Sequence, residues 1–128
     1  MKFLRDTSSV RDNEFLIQFV KDLEPRFFHT QSGMIQDQYE EIFEVVFITK
    51  GSVGVGYRLF NEVFYGMRII MSNKLKINVP INDYECIHNK CSEFLYKPIE
   101  DKIEALSMRR ENFIRVMHKK KHNKQHIN

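Results

Sequence analysis

The chain has 128 residues, 42% of them hydrophobic and 29% charged, with two cysteines and a net charge of +3. These values describe one domain large enough to bury a core without disulfide or metal staples, and they exclude a disordered chain. They also argue against a nucleic-acid surface: HKKKHNKQHIN, from His118 onward, carries +4 against a total of +3, so the rest of the chain sums to −1.

Asp12 is a candidate N-cap. Phe15, Leu16, Phe19, Val20 and Leu23 then recur at helical spacing, which predicts a helix over about 13–23, ended by Pro25. PRFFHT reads as a strand, Gly33 as a turn, and Met34 with Ile35 as a second short strand. After the polar connection QDQYEE, residues 45–49 form an apolar run of branched and aromatic side chains, the signature of a buried strand. Lys50-Gly51 signals a tight turn, and Val53, Val55, Tyr57 and Leu59 then alternate with small or polar residues.

Residues 63–70 and 75–79 read as two more strands separated by a hairpin-like break at Ser72-Asn73-Lys74. Residues 80–90 are polar and irregular. Two strands, 93–96 and 103–108, bracket KPIEDK, and a last helix begins near Arg109 with Phe113, Ile114, Val116 and Met117 as its apolar positions. Strands follow strands through short turns, which excludes a parallel βαβ sheet. The expected fold is mostly β with flanking helices: an antiparallel eight-stranded β-roll or jelly roll between an N-terminal and a C-terminal helix. The expected segments are 1–24 helical, 25–108 roll, and 109–128 helix with a basic tail.

LEPRFF, the short strand at Ile35, and EVVFITKGSVGV appear in an order that resembles the first half of a cyclic nucleotide-binding domain. Phe47, Ile48, Gly51, Val53 and Val55 match that family's Φ-Φ-I-x-x-G-x-V-x-V strand without gaps, Gly51 being the structural turn. IEALSMRRENFIRVM resembles its last strand running into the following helix. VGYRLFNE and NKCSEFLYKP look like the versions attached to voltage-gated cation channels, potassium channels among them, of single-celled eukaryotes. The resemblance implies a regulatory domain in the cytosol, held at a membrane by a channel portion that this chain does not contain.

It also implies a phosphate-binding cassette of the form F-G-E-[I/L]…R-[S/T]-A, where helix N-terminal amides and an arginine fork hold a cyclic phosphate. The corresponding stretch is INDYECIHNKCSEF. Tyr84 and Glu85 overlay the aromatic and the glutamate, Lys90 or Cys91 stands for the arginine, and Ser92 for the residue after it. The glycine is missing and the segment is short. Lysine offers a point charge without the bidentate fork. The cassette is therefore degenerate, and weak or lost binding of cAMP or cGMP is expected, with no other cofactor. Partner subunits or the channel's own transmembrane part replace nucleotide as the expected input.

Other patterns are weaker. GSVGVG lacks the Lys-Ser/Thr pair and the helix of a phosphate loop. Cys86, His88 and Cys91 form C-x-H-x-x-C, which with His29 would supply four zinc ligands, but without a second close pair no metal is expected. Acids cluster at Glu40, Glu41 and Glu44 and at Glu100, Asp101 and Glu104 without a spaced nucleophile or base, so no enzyme is expected. Lys119, Lys120 and Lys121 could touch anionic lipid headgroups. Arg109 and Arg110 oppose the dipole of the helix they open, which suggests a pairing partner such as Glu111. MKFLRDTSSV has no apolar signal region, and the two cysteines fit a reducing compartment.

Overall fold

The computed structural model describes residues 10–61, 63, 66–75 and 79–127. The elements are α1 (Val10–Lys21), β1 (Glu24–Phe28), a single 3₁₀ turn (Thr30–Ser32), β2 (Glu44–Lys50), β3 (Val53–Asn61), β4 (Gly66–Leu75), β5 (Pro80–Ile81), α2 (Asp83–His88), β6 (Leu95–Pro98), β7 (Ile103–Arg109) and α3 (Arg110–Ile127). One sheet has the order β1-β7-β2-β5 and the other β4-β3-β6, and all pairings are antiparallel. The expected class, an antiparallel roll with a helix at each end, is the observed one, with seven strands among the described residues in place of the eight expected.

β2 explains the architecture. Its apolar run is unbroken because both faces are covered. Val45 and Phe47 join Phe19, Ile42, Cys86, Met108, Phe113 and Val116 beneath the helices. Val46 and Ile48 point the other way, into the roll, with Phe28, Val53, Ile81, Ile103 and Ala105. Phe19 meets Phe47 edge to face, with centroids 5.6 Å apart. The residue after α1, Asp22, pairs with Arg115 of α3 at 3.3 Å.

Several local expectations are corrected. Ser72-Asn73-Lys74 is no hairpin: β4 runs straight through it. The register with β3 slips between Val55 and Gly56, leaving Ser72 as the extra residue of a bulge, its hydroxyl donating to Val55 O at 3.1 Å. A Cβ on Gly56 would lie 2.9 Å from Met71 Sδ, so a side chain there would crowd the bulge. The expected strand at 63–70 overlaps β4 only from Gly66, and most of that expected at 75–79 lies outside the described residues. Residues 80–90 are ordered into β5 and α2, with Asn82 at φ 76° turning the chain between them. The strand at Met34-Ile35 is reduced to one bridge, Gln36 to Tyr96. α1 starts at Val10, so Asp12 lies inside its first turn rather than capping it.

Gly51 keeps its predicted role. It sits at φ +102°, and a Cβ there would stand 2.9 Å from Lys102 O and 3.0 Å from Ile103 Cγ1. Gly51→Ala should therefore cost roughly 1–3 kcal/mol of stability. Urea denaturation of the two proteins checks this; an unchanged midpoint would refute the strained-turn account.

Candidate functional site

The segment that leaves the roll at β5 and returns at β6 carries the cassette positions. β5 is short, pairing Ile81 with Val46 and Pro80 with Phe47. Asn82 then adopts a left-handed conformation, which Asn tolerates better than most residues, and α2 begins. Cys86 faces inward among the apolar side chains under the helices, and burial pushes its thiol pKa up to about 11. α2 closes at Asn89, φ 52°, whose N–H bonds Glu85 O; Lys90 N also donates to Glu85 O at 2.9 Å. Arg110 donates from Nη2 to Asn89 Oδ1, so the arginine expected to pair with an acid instead fastens the end of α2 to the start of α3.

Asn82 is buried. Its Nδ2 donates to Gln36 Oε1 at 2.9 Å and to Glu44 O at 3.4 Å, whereas its Oδ1 has no partner among the described residues. Ser92 is fully buried; its hydroxyl donates to Phe94 O at 2.6 Å and its carbonyl accepts from Tyr39 N at 2.7 Å. The loop that makes this contact is fixed by Asp37, paired through both carboxylate oxygens with Arg58, and by Gln38, which accepts from Arg58 N at 2.7 Å. The Arg58 guanidinium holds the Asp37 carboxyl below its ordinary pKa against the opposing effect of burial.

Of the five cassette positions read from sequence, the structure brings two together. Lys90 Nζ lies 5.3 Å from the Tyr84 ring centroid, and His88 stacks on the same ring at 4.2 Å. Tyr84, Lys90 and Cys91 are exposed, Glu85 is half-buried, and Ser92 is sealed inside, its hydroxyl committed to Phe94. A feature missed in the sequence is Ile81-Asn82-Asp83: a buried apolar residue, a buried Asn at positive φ, then a carboxylate in the first turn of α2. The readable signal was an Asn before an acid at a strand end, since Asn is the usual substitute for glycine at positive φ.

The zinc pattern does not assemble. Cys86 is buried while His88 and Cys91 are exposed, and among the described residues no three metal-ligating side chains converge. The acid groups are engaged locally: Glu44 with Arg26 at 3.2 Å, Glu100 with Ser52 at 2.9 Å, and Asp101 with Thr30 at 2.6 Å. Asp37, Glu40 and Glu41 line a cavity of about 340 Å³ with Met34, Ile35, Gln36 and Phe43. Among the described residues no helix is long and apolar enough to cross a membrane.

No family model and no curated protein matches the sequence. Solved structures do match the fold. The regulatory domain of Toxoplasma gondii PKA with cAMP superposes with a TM-score of 0.67 at 15% identity, over 88% of this chain and 41% of that one. The regulatory subunit of a cAMP-independent protein kinase A from Trypanosoma cruzi, bound to guanosine, gives 0.69 at 15%, over 91% and 40%. A triple mutant of the Trypanosoma brucei counterpart, bound to cAMP in its A site, gives 0.68 at 14%, over 92% and 39%. The chain thus spans about two fifths of each of these structures. Its fold is that of a cyclic nucleotide-binding domain.

The Asp37–Arg58 pair gives a pH signature. Because the folded-state pKa of Asp37 is depressed, its contribution is complete above the ordinary carboxyl value and is lost as pH falls through the folded value. Arg58→Met should be less stable than the parent at pH 7, and the gap should shrink toward pH 3. Denaturant curves at the two pH values test this; a gap that stays constant would mean that the pair's charge contributes nothing.

Proposed function

We propose that this chain is a non-enzymatic regulatory module of a cation channel of the potassium-selective kind, in which the roll has weakened or lost nucleotide binding. A partner subunit or a docking protein segment supplies its input. The channel setting rests on the resemblance of VGYRLFNE and NKCSEFLYKP to channel-attached domains, together with the observed roll. The observation that carries the loss of nucleotide binding is the fate of the cassette cations. No arginine stands in residues 81–94, Lys90 is drawn over Tyr84 on an exposed surface, and the Ser92 hydroxyl is committed to Phe94 O. A cyclic phosphate would find no bidentate fork among these residues.

Such a module acts by differential affinity. A partner that prefers one arrangement of roll and helices biases pore opening by its preference, typically about 1–3 kcal/mol. Lys119, Lys120 and Lys121 add a contact with anionic lipid, a proposal about side chains outside the described residues. A second reading, an uncharged nucleoside as ligand, is favoured by the unpartnered Asn82 Oδ1 and by the carboxylates of Asp83 and Glu85, which disfavour phosphate. The guanosine held by the Trypanosoma cruzi relative is of that class.

Titration of the purified chain with cAMP, cGMP and guanosine, followed by calorimetry and thermal shift, tests the ligand. A ligand at 100 times its Kd adds about 2.7 kcal/mol, an unmistakable shift. The cyclic nucleotides should give none at millimolar concentration. A shift abolished by Glu85→Ala or Lys90→Ala would overturn the degenerate reading, and a response to guanosine alone would select the second one. The channel setting is tested by recording currents from the full gene product with residues 25–109 deleted. The voltage of half-activation should move; channel-free membranes or unaltered gating would defeat the proposal.

A further inference from the structure

β4 is a long open edge. Among the described residues it pairs on one side only, with β3, and it runs for ten residues from Gly66 to Leu75. The other edge strands, β1, β5 and β6, have five, two and four residues. Folded proteins usually keep such edges short, because each carries a row of unpaired N–H and C=O groups. One face of β4 is also apolar. Met67, Ile69 and Met71 alternate to the same side and are 61%, 40% and 45% exposed. Phe60 of β3 stands opposite Met67. A Cβ on Gly54 would lie 2.6 Å from Met71 Cε and 3.3 Å from Ile99 Cδ1, so Met71 and Ile99 lie together over that glycine and extend the strip. The charges of this sheet have one sign. Its strands hold Arg58, Arg68, Lys74 and Lys97 and no acid. Arg58 is committed to Asp37, whereas Arg68, Lys74 and Lys97 have no acidic partner among the described residues.

We propose that the β4 edge docks an extended acidic segment of a protein partner, which joins the sheet as a further strand. The open backbone groups of β4 bind the main chain of that segment. Its apolar side chains lie beside Met67, Ile69 and Met71, and acids at the alternate positions meet Arg68 on the other face. Charge complementarity selects this occupant. A second copy of the chain would bring Arg68 and Lys74 to an edge that already holds them, and a charged edge with a bulge, here at Ser72, is how native sheets resist pairing with themselves. An acidic strand meets no such repulsion and gives the unpaired cations their partners. The inference rests on the edge alone. It holds whether or not the chain belongs to a channel or binds a nucleotide.

The test is fluorescence anisotropy of a labelled peptide that alternates glutamate with isoleucine over about eight residues, within the length of ordinary strands, titrated with the whole 128-residue chain. Saturable binding is expected. Arg68→Glu should weaken it about tenfold or more, whereas Lys21→Glu, the same charge change on α1, should leave it unchanged. The same peptide with alternate amides N-methylated keeps its charge but loses main-chain donors, and it should not bind. Arg68 is exposed, so the melting temperature of Arg68→Glu should match the parent and show that the variant folds. Absence of saturable binding would overturn the proposal. So would equal binding of the N-methylated peptide, which would reduce the contact to charge alone. If the peptide fails, two readouts name the true occupant. Dimerisation of the chain in sedimentation velocity, abolished by Ile69→Lys, would assign the edge to a second copy. Sedimentation with phosphatidylserine vesicles, lost in the same variant, would assign it to a lipid surface.

Discussion

The pairing of β2 with β7 places one strand between two cores, and the other elements take their positions from it. Each of Val45, Val46, Phe47 and Ile48 is nearly inaccessible to water. Burial of a side chain of that size contributes about 1.5–3 kcal/mol, and alternation sends the four to opposite sides. The roll and the helical layer are consequently not separable units. A one-residue slip of β2 would exchange its two faces and send each of these side chains into the core that now holds its neighbour. Register is also held at the strand's end, where Thr49 Oγ1 donates to Glu104 O at 3.0 Å and Gly51 reverses the chain against Lys102 and Ile103.

The same strand explains how the cassette segment is held. β5 attaches to the edge of β2, so Ile81 enters the roll interior, while five residues later Cys86 enters the layer under the helices. The left-handed Asn82 is the joint between these anchors. Because Arg110 bonds Asn89 and α3 continues directly from β7, α2 cannot be displaced without disturbing the start of α3. The segment and the C-terminal helix are thereby tied through a short chain of named contacts.

The sequence disclosed the buried strand, the Gly51 turn and both terminal helices because each has a short-range cause. A continuous apolar run, a glycine between two strands and an i, i+3, i+4 stripe are visible within a few residues. It misled where the cause is long-range. Ser72-Asn73-Lys74 has turn composition, yet β3 pairs along nearly all of β4 and absorbs Ser72 as a bulge. Residues 80–90 look irregular because α2 is only six residues long and buries one of them, Cys86, too little for a periodic pattern. The partner of Arg110 was unreadable for the same reason: Asn89 is distant in sequence and uncharged. At the site, residue identities were legible but their directions were not. Nothing in KCSEF tells that Lys90 turns outward and Ser92 inward.

That difference in direction separates the positions that the fold requires from those that it does not. Tyr84, Lys90 and Cys91 contribute nothing to either core, so substitutions among them leave the β2 packing untouched. Ser92 and Asn82 are different. Both are buried and tied to the loop before β2, Ser92 through Tyr39 N and Asn82 through Gln36. Replacing either leaves buried groups without partners, a cost of about 1–3 kcal/mol each. The stability of this fold therefore constrains the inner half of the segment and leaves the outer half free to vary, so the charges that would greet a ligand can change while the backbone that would cradle it persists.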